Sequence, residues 1–553
     1  MSAPRGPSVY AVFEAAASEC AEREFLHVPL EACASYSAAP ITLRYGNSHA
    51  QVAAIAQAFE RGGLRAGHRV ALALDNRPEF FLHFLALNRL GLSVVPVNAG
   101  MSTQELNFVL AHSDAALVVT HPGHAARLRE ALPPATPLQV LRDALAPHPT
   151  PAEPMPQPLK AASAEPGEAA LLYTSGTTGK PKGCILSNEY FLEAGRLYTG
   201  LGGYCRFDGT NDRLATPLPV THMNALAVSF MAMLETRGCL IQLDRFHPSS
   251  WWHSLRTSRA SAFHYLGVMP AMLLKAAPAK DDSHAGQLRF GFGAGVDPRH
   301  HAAFEARFGV PLIEAWAMTE TGAGAWITAN REPRHVGERC FGKAPPGLAY
   351  RIADEAGGEV APGAAGELLV RRAEGDPRRG FFSGYYRDPQ ATRQAWAGGW
   401  FHTGDLVRVG ADGSFFFVDR SKNVVRRSGE NIAAVEVESA LGTHPDVAGS
   451  AVCPVSDELR GEEVFAFVVL RPGAAATLAT ARALQAHCLE ALAYYKAPGY
   501  IAFRADLPQT ASQKLARGDI KALAARLVGD APAAAPGAAA GVFDLRQLKK
   551  RRS

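Results

Sequence analysis

The chain lacks paired-cysteine motifs, long apolar runs and any large excess of charge. Its eight cysteines stand singly at 20, 33, 184, 205, 239, 340, 453 and 488, with no CxxC among them. That spacing offers neither a zinc knuckle nor a disulfide framework, and it fits reduced thiols. No stretch reaches the roughly 18 consecutive apolar residues of a spanning helix. The start, MSAPRGPSVYAVFEAA, has no charged segment followed by an apolar one. No signal peptide is expected, and a cytoplasmic protein follows by default. The net charge of +4 and pI near 8.6 are too mild to imply a nucleic-acid partner. The one basic run, Lys549 to Arg552, reads as a solvated tail. No repeat of 20–50 residues is visible.

What is present describes a soluble globular chain. Apolar residues make up 47% and charged residues 20%. A length of 553 residues exceeds one compact core, so two or more domains are expected. Gln51–Arg61 places Val52, Ile55, Ala56 and Phe59 at helical spacing. Arg69–Leu74, Ser93–Asn98 and Ala115–Thr120 read as buried strands, with helices at Glu79–Arg89 and Gln104–Ala111 between them. Such alternation implies an α/β fold, a parallel sheet with helices on both faces. Residues 132–168 are rich in Pro and Ala and read as an exposed connection. Residues 348–420 read as a β-rich subdomain. A new helix at Ala433–Leu441 and a strand at Val464–Leu470 follow a boundary near Arg420–Asn423. Residues 530–541, rich in Ala, Pro and Gly, read as disordered.

The most informative segment is Tyr173–Gly183, YTSGTTGKPKG. It holds four threonine or serine hydroxyls, three glycines and two lysines. Glycines let backbone N–H groups converge on an anion, and hydroxyl and ammonium groups add charge-assisted bonds to phosphate oxygens. Lys180 is followed by Pro181, so the spacing is not that of an ordinary P-loop. A loop of this composition alone is common on protein surfaces.

Other segments agree with it in order. Leu218–Asn224 is LPVTHMN, Gly293–Gly295 is GAG, and Trp316–Thr321 is WAMTET. Gly399–Asp405 is GWFHTGD, Val418–Asn431 is VDRSKNVVRRSGEN, and Leu507–Lys514 is LPQTASQK. Together with the loop they resemble the adenylate-forming superfamily, which contains acyl-CoA synthetases, luciferase-like enzymes and the adenylation domains of peptide synthetases. The likeness runs from Tyr45 to Ile520. Within it, LDNRPEFF, VPVNA and DRFHPSSWW look most like carnitine/crotonobetaine-CoA ligases and short- or medium-chain acyl-CoA synthetases of fatty-acid metabolism.

The resemblance implies a large AMP-binding N-terminal domain over 1–420, built of parallel α/β layers and a β-rich subdomain. A small mobile α+β lid over 421–530 follows it, then a disordered basic tail over 531–553. It implies an acid–CoA ligase working through acyl-AMP with release of pyrophosphate, and ATP, Mg²⁺ and coenzyme A as cofactors. Thr174, Ser175, Gly176, Thr177, Thr178, Lys180 and Lys182 would hold phosphate. Gly293, Ala294, Gly295 and Trp316 would enclose adenine. Asp405 and Arg420 would bind ribose, Thr319 the α-phosphate, and Glu320 the metal. Lys514 would bridge carboxylate and α-phosphate, and His222 would flank the carboxylate. Lys422 would be the pivot of the lid, and Gly429 would lie beside the pantetheine arm.

Two departures stand out. Gln513 replaces a usual glycine beside Lys514, and Ala317 replaces one beside Trp316, adding a methyl group near the acyl pocket. Pocket candidates are Phe263, His264, Tyr265 and Gly267, with His222, Trp316 and Ala317. An aromatic cage for a quaternary ammonium could draw on Trp251, Trp252 and Tyr265, although Trp pairs are more often core residues. The expected partners are a small carboxylic acid, ATP and CoA; the oligomeric state stays open, a homodimer included. Two alternatives remain. Transfer to a carrier protein lacks a fused Asp-Ser-Leu attachment site after residue 520, and a non-catalytic homologue would lack Lys514 or Glu320, which are present.

Overall fold

The computed structural model describes residues 7–529 and 541–549, apart from 102, 135, 142–162, 175–180, 210, 279–281, 285, 355, 421–422, 428–429, 458–459 and 510–514. A seven-stranded sheet carries the expected alternation. Its strands Glu168–Thr174, Ser93–Pro96, Arg69–Ala73, Leu117–Thr120 and Leu138–Val140 run parallel in that order. Every residue of Arg69–Ala73 is buried, as befits a strand covered on both faces. Arg69 can be buried because Glu168 takes its guanidinium through two bonds of 2.7 Å, while the Ser93 hydroxyl donates to the same carboxylate at 2.6 Å. The helix Tyr45–Arg61 buries Val52, Ile55, Ala56 and Phe59, the face read from their spacing. Leu138–Val140 adds an edge strand within the Pro/Ala-rich segment expected to be only a connection.

A second sheet has thirteen strands. Glu24–Val28, Cys239–Gln242, Arg213–Thr216, Ala262–Leu266, Gly291–Ala294 and Leu312–Trp316 form its parallel part. Beyond Leu312–Trp316 the pairing turns antiparallel and takes in Cys340–Lys343, Ser414–Arg420, Phe401–Val409, Gly366–Arg372 and Leu348–Ala353. The β-rich region therefore extends the large sheet. The switch falls at Trp316, which puts residues from both parts beside one another.

The third sheet belongs to the C-terminal region. Gly461–Leu470 pairs antiparallel with Val447–Asp457 and parallel with Tyr500–Phe503. The helices Ala434–Leu441 and Leu478–Ala491 share an apolar core with it. Here the expectation of a disordered tail needs correction. Val542–Asp544 pairs with Tyr500–Phe503, and Lys549 is buried rather than solvated. Its ammonium donates to Glu463 Oε1 at 2.6 Å and to the Tyr495 carbonyl at 3.1 Å. Glu463 is fully buried and also accepts from Arg427 at 2.9 Å. An acid buried this deeply needs cations, and the chain end supplies one. Residues 531–540 and 550–553 lie outside the described residues. No helix among the described residues is long and apolar enough to cross a membrane.

Candidate functional site

The site lies where the large sheet changes direction. Asp405 and Arg420 are cross-strand partners on Phe401–Val409 and Ser414–Arg420. Arg420 Nε approaches Asp405 Oδ1 at 2.5 Å, and the Trp316 indole N–H donates to Oδ2 at 2.8 Å. Asp405 is almost wholly buried, while Arg420 is about half exposed. Burial pushes the Asp405 carboxyl upward, against the pull of Arg420 and Trp316. The cluster is thus a buried acid with one guanidinium reaching solvent.

Beside it, Gly291–Ala294 ends in a tight turn. Gly295 has φ +80°, a left-handed conformation suited to glycine. Its N–H donates to Glu314 Oε2 at 2.9 Å, and the Val296 N–H donates to Oε1 at 3.2 Å. The Tyr265 hydroxyl donates to Oε1 at 2.7 Å. Burial pushes the Glu314 carboxyl up, and these three donors oppose the rise. A Cβ on Gly267 would fall 1.7 Å from the Gly295 carbonyl, so two backbone segments meet here with no room for a side chain. Sequence reasoning missed Glu314; its only signal is an acid inside the apolar strand LIEAW.

Glu320 is buried and accepts from the Tyr385 hydroxyl at 2.9 Å. The Lys182 ammonium lies 4.7 Å from the centre of the Tyr385 ring. Tyr385 links the acid to the glycine-rich segment, and no motif pointed to it. Thr174 and Lys182 face each other at the end of an antiparallel pair of strands. Thr319 is half-buried and its carbonyl accepts from Tyr190 at 2.9 Å. Ser175, Gly176, Thr177, Thr178, Lys180, Lys422, Gly429 and Lys514 lie outside the described residues.

His222 is half-buried, and its carbonyl accepts the Leu226 N–H at 3.2 Å as the π-helical turn Asn224–Ser229 begins. Such turns are frequent at functional sites. His264 bonds to Ser229 Oγ at 2.8 Å, to Asn224 Oδ1 at 2.5 Å and to the Tyr198 hydroxyl at 2.8 Å. Burial pushes His264 down to about 3, so the imidazole is neutral.

The other pocket candidates divide. Side chains alternate along Ala262–Leu266, so Phe263 and Tyr265 face away from His264. Phe263 packs edge-on against Trp251 at 5.6 Å, and Trp252 stacks on His284 at 4.2 Å. Trp251, Trp252 and Tyr265 are therefore core residues and form no cage.

The AMP-binding enzyme family matches residues 13–386, and the AMP-binding enzyme C-terminal domain matches 436–514. The chain belongs to the AMP-binding enzyme family. Within it, the chain is an acyl-CoA synthetase of the AMP-forming type. A sulfoacetate–CoA ligase of Cupriavidus necator is 34% identical over 489 residues, covering 86% of this chain and 91% of that protein. A crotonobetaine/carnitine–CoA ligase of Salmonella arizonae is 31% identical over 497 residues, covering 86% and 92%. ATP-bound MatB from Rhodopseudomonas palustris superposes with a TM-score of 0.74 at 25% identity, covering 93% of this chain and 98% of that one. The anthranilate CoA ligase AuaEII, in complex with anthranoyl-AMP, superposes at 0.78 with 22% identity over 95% and 99%, a likeness of fold. The synthetase thus brings Trp316, Asp405 and Arg420 together at one switch in its large sheet.

Proposed function

We propose that the synthetase activates a short polar carboxylic acid. The carboxylate attacks the α-phosphate of ATP, pyrophosphate leaves, and the thiol of CoA then displaces AMP from the acyl-adenylate. The observation that carries this reading is the Trp316–Asp405–Arg420 cluster beside the Gly293–Gly295 turn. A buried carboxylate can accept both ribose hydroxyls, and a flat glycine turn admits a purine ring.

In this reading Thr174 to Lys182 bind phosphate, with Ser175, Gly176, Thr177, Thr178 and Lys180 between them. Thr319 bonds the α-phosphate, Lys514 bridges it to the acid, and His222 flanks the acid. Glu320 suits Mg²⁺, because its buried carboxylate offers hard oxygens and Tyr385 fixes one of them. The ion, when bound, offsets repulsion between carboxylate and triphosphate. Residues 1–420 form the AMP-binding domain and 421–530 a lid pivoting at Lys422, with Gly429 beside the pantetheine arm. A cytoplasmic location follows from the free thiols. A second copy in a homodimer would leave the chemistry within one chain.

The polar acid is favoured by Asn224, a half-buried amide two residues from His222 that bonds His264, since a long alkyl chain against it would desolvate a polar group. The absence of a cage from Trp251, Trp252 and Tyr265 weighs against a quaternary ammonium at those residues. The test is pyrophosphate release across sulfoacetate, crotonobetaine, carnitine, short hydroxy and keto acids and medium-chain fatty acids, with and without CoA. A short polar acid should release pyrophosphate and yield its CoA thioester. Preference for fatty acids overturns the assignment of the acid, and acyl-AMP without thioester points to another acceptor.

A further inference from the structure

One group of side chains away from the nucleotide motifs has the donor set of a metal centre. Asp75 follows Arg69–Ala73, and His121 follows Leu117–Thr120, the adjacent parallel strand. Both stand at the carboxyl edge of the sheet, where open α/β sheets take ligands. His124 lies three residues on, in the first turn of the helix Pro122–Ala131, on the same face as His121. The Nε2 atoms of His121 and His124 lie 3.1 and 2.6 Å from one oxygen, Asp75 Oδ2. The two ring centres are 4.3 Å apart, and the three donor atoms all lie within 4.8 Å of one another. Asp75 reaches this position with φ 51°, a conformation few non-glycine residues adopt, and such residues gather at functional sites.

We propose that Asp75, His121 and His124 bind one divalent cation of the zinc class. Two imidazoles with one carboxylate suit Zn²⁺, Co²⁺ or Ni²⁺; Mg²⁺ and Ca²⁺ prefer all-oxygen ligands. With metal–ligand bonds of about 2.0–2.1 Å, a tetrahedral ion holds its ligand atoms about 3.3 Å apart. The two nitrogen–oxygen separations, 3.1 and 2.6 Å, need to open by less than 1 Å to reach that geometry. The side chains of His121, His124 and Asp75 are 13%, 26% and 45% exposed, so an ion can enter and keep a water as fourth ligand.

A proton competes for the same atoms. Without metal, each Nε2–H donates to Asp75. His121 Nδ1 accepts the Gly123 N–H at 3.2 Å, so ligation through Nε2 moves the ring proton to Nδ1 and releases that cap bond. The ion replaces the two Nε2–H···Asp75 hydrogen bonds and the Gly123 cap bond with two metal–nitrogen bonds and one metal–oxygen bond.

The consequence reaches the loop that leads to His222. Asn76, next to Asp75, donates to the Leu218 and Leu243 carbonyls at 3.0 Å each and accepts the Val220 N–H at 2.9 Å. An ion that fixes the Asp75 turn also fixes this clamp.

The test uses untagged full-length protein stripped of metal. Zn²⁺ is titrated in competition with a chromophoric chelator of micromolar affinity, and Co²⁺ and Mg²⁺ are run in parallel. One equivalent of Zn²⁺ should bind per chain, and affinity should fall at least tenfold in His124→Ala and in Asp75→Asn. Zn²⁺ should raise the melting temperature of the wild type but not of His124→Ala, and Co²⁺ should give visible absorption only in the wild type. The metal-free melting temperatures establish that the variants fold, and His124→Gln replaces His124→Ala if the latter does not. Failure to bind Zn²⁺, equal affinity in a folded variant, or equal competition by Mg²⁺ overturns the proposal.

Discussion

Trp316 donates its indole N–H to one oxygen of Asp405 at 2.8 Å, while Arg420 approaches the other at 2.5 Å. Trp316 and Asp405 lie 89 positions apart in the chain and meet where the large sheet changes from parallel to antiparallel pairing. Asp405→Asn keeps the shape but replaces one accepting oxygen with a donor facing Arg420 or the indole. Hydrogen bonds to charged groups are worth about 1.5–3 kcal/mol. The KM for ATP in pyrophosphate exchange should therefore rise about 10–100-fold, with the fold intact by circular dichroism. An unchanged KM would remove Asp405 from the nucleotide site.

Glu314 holds the Gly295–Val296 turn through two backbone bonds and Tyr265 through a third. Gln can satisfy fewer of these donors. Glu314→Gln should raise the KM for ATP about tenfold, the equivalent of about 1.4 kcal/mol, with a smaller change in kcat. Gly267→Ala should be worse, because its methyl would strike the Gly295 carbonyl. Overpacking of this kind costs about 1–3 kcal/mol and should show in both melting temperature and activity. If Gly267→Ala keeps wild-type activity, the turn does not bind nucleotide.

Lys549 closes the C-terminal sheet by neutralising Glu463 with Arg427. Breaking a buried pair leaves an uncompensated charge. Lys549→Met should cost about 2–4 kcal/mol, since Arg427 still pairs with Glu463. Hydrogen exchange of Gly461–Leu470 and Tyr500–Phe503 should quicken while the large sheet keeps its protection. Unchanged protection would contradict a structural role for the chain end.

Glu305 links the helix Pro298–Phe308 to Arg334, through bonds of 2.7 and 2.8 Å. Burial raises its carboxyl, but Arg334, His301 and the Leu312 N–H outweigh it and hold it at about 2, against an ordinary 4.5. The folded value lies below the unfolded one, so this stabilisation is present above about pH 4.5 and is lost as pH falls toward 2. The stability gap between wild type and Glu305→Gln should narrow by roughly 2 kcal/mol between pH 6 and pH 3. A gap that is constant with pH would contradict the pairing.

Local signals made much of this legible. The alternation of Arg69–Leu74, Glu79–Arg89 and Ser93–Asn98 gave the parallel sheet, because each segment's periodicity is set by its own burial. Trp316, Asp405 and Arg420 stood out through ordered short motifs. Glu314 and Tyr385 did not, since their partners Gly295 and Glu320 are recruited by tertiary pairing. Composition also misled. An Ala/Pro-rich stretch concealed that Lys549 would be claimed by a distant buried acid. The adjacent tryptophans pack with Phe263 and Phe308 in a core, the commoner fate of a Trp pair.

In the acyl-adenylate route, an oxygen of the acid attacks the α-phosphate of ATP. Its most direct test supplies the accepted acid with both carboxylate oxygens labelled as oxygen-18, together with ATP and CoA, and reads the products by mass spectrometry. One labelled oxygen in each AMP, with none in pyrophosphate, is the predicted result. Unlabelled AMP, or label in phosphate or pyrophosphate, would contradict an acyl-adenylate intermediate.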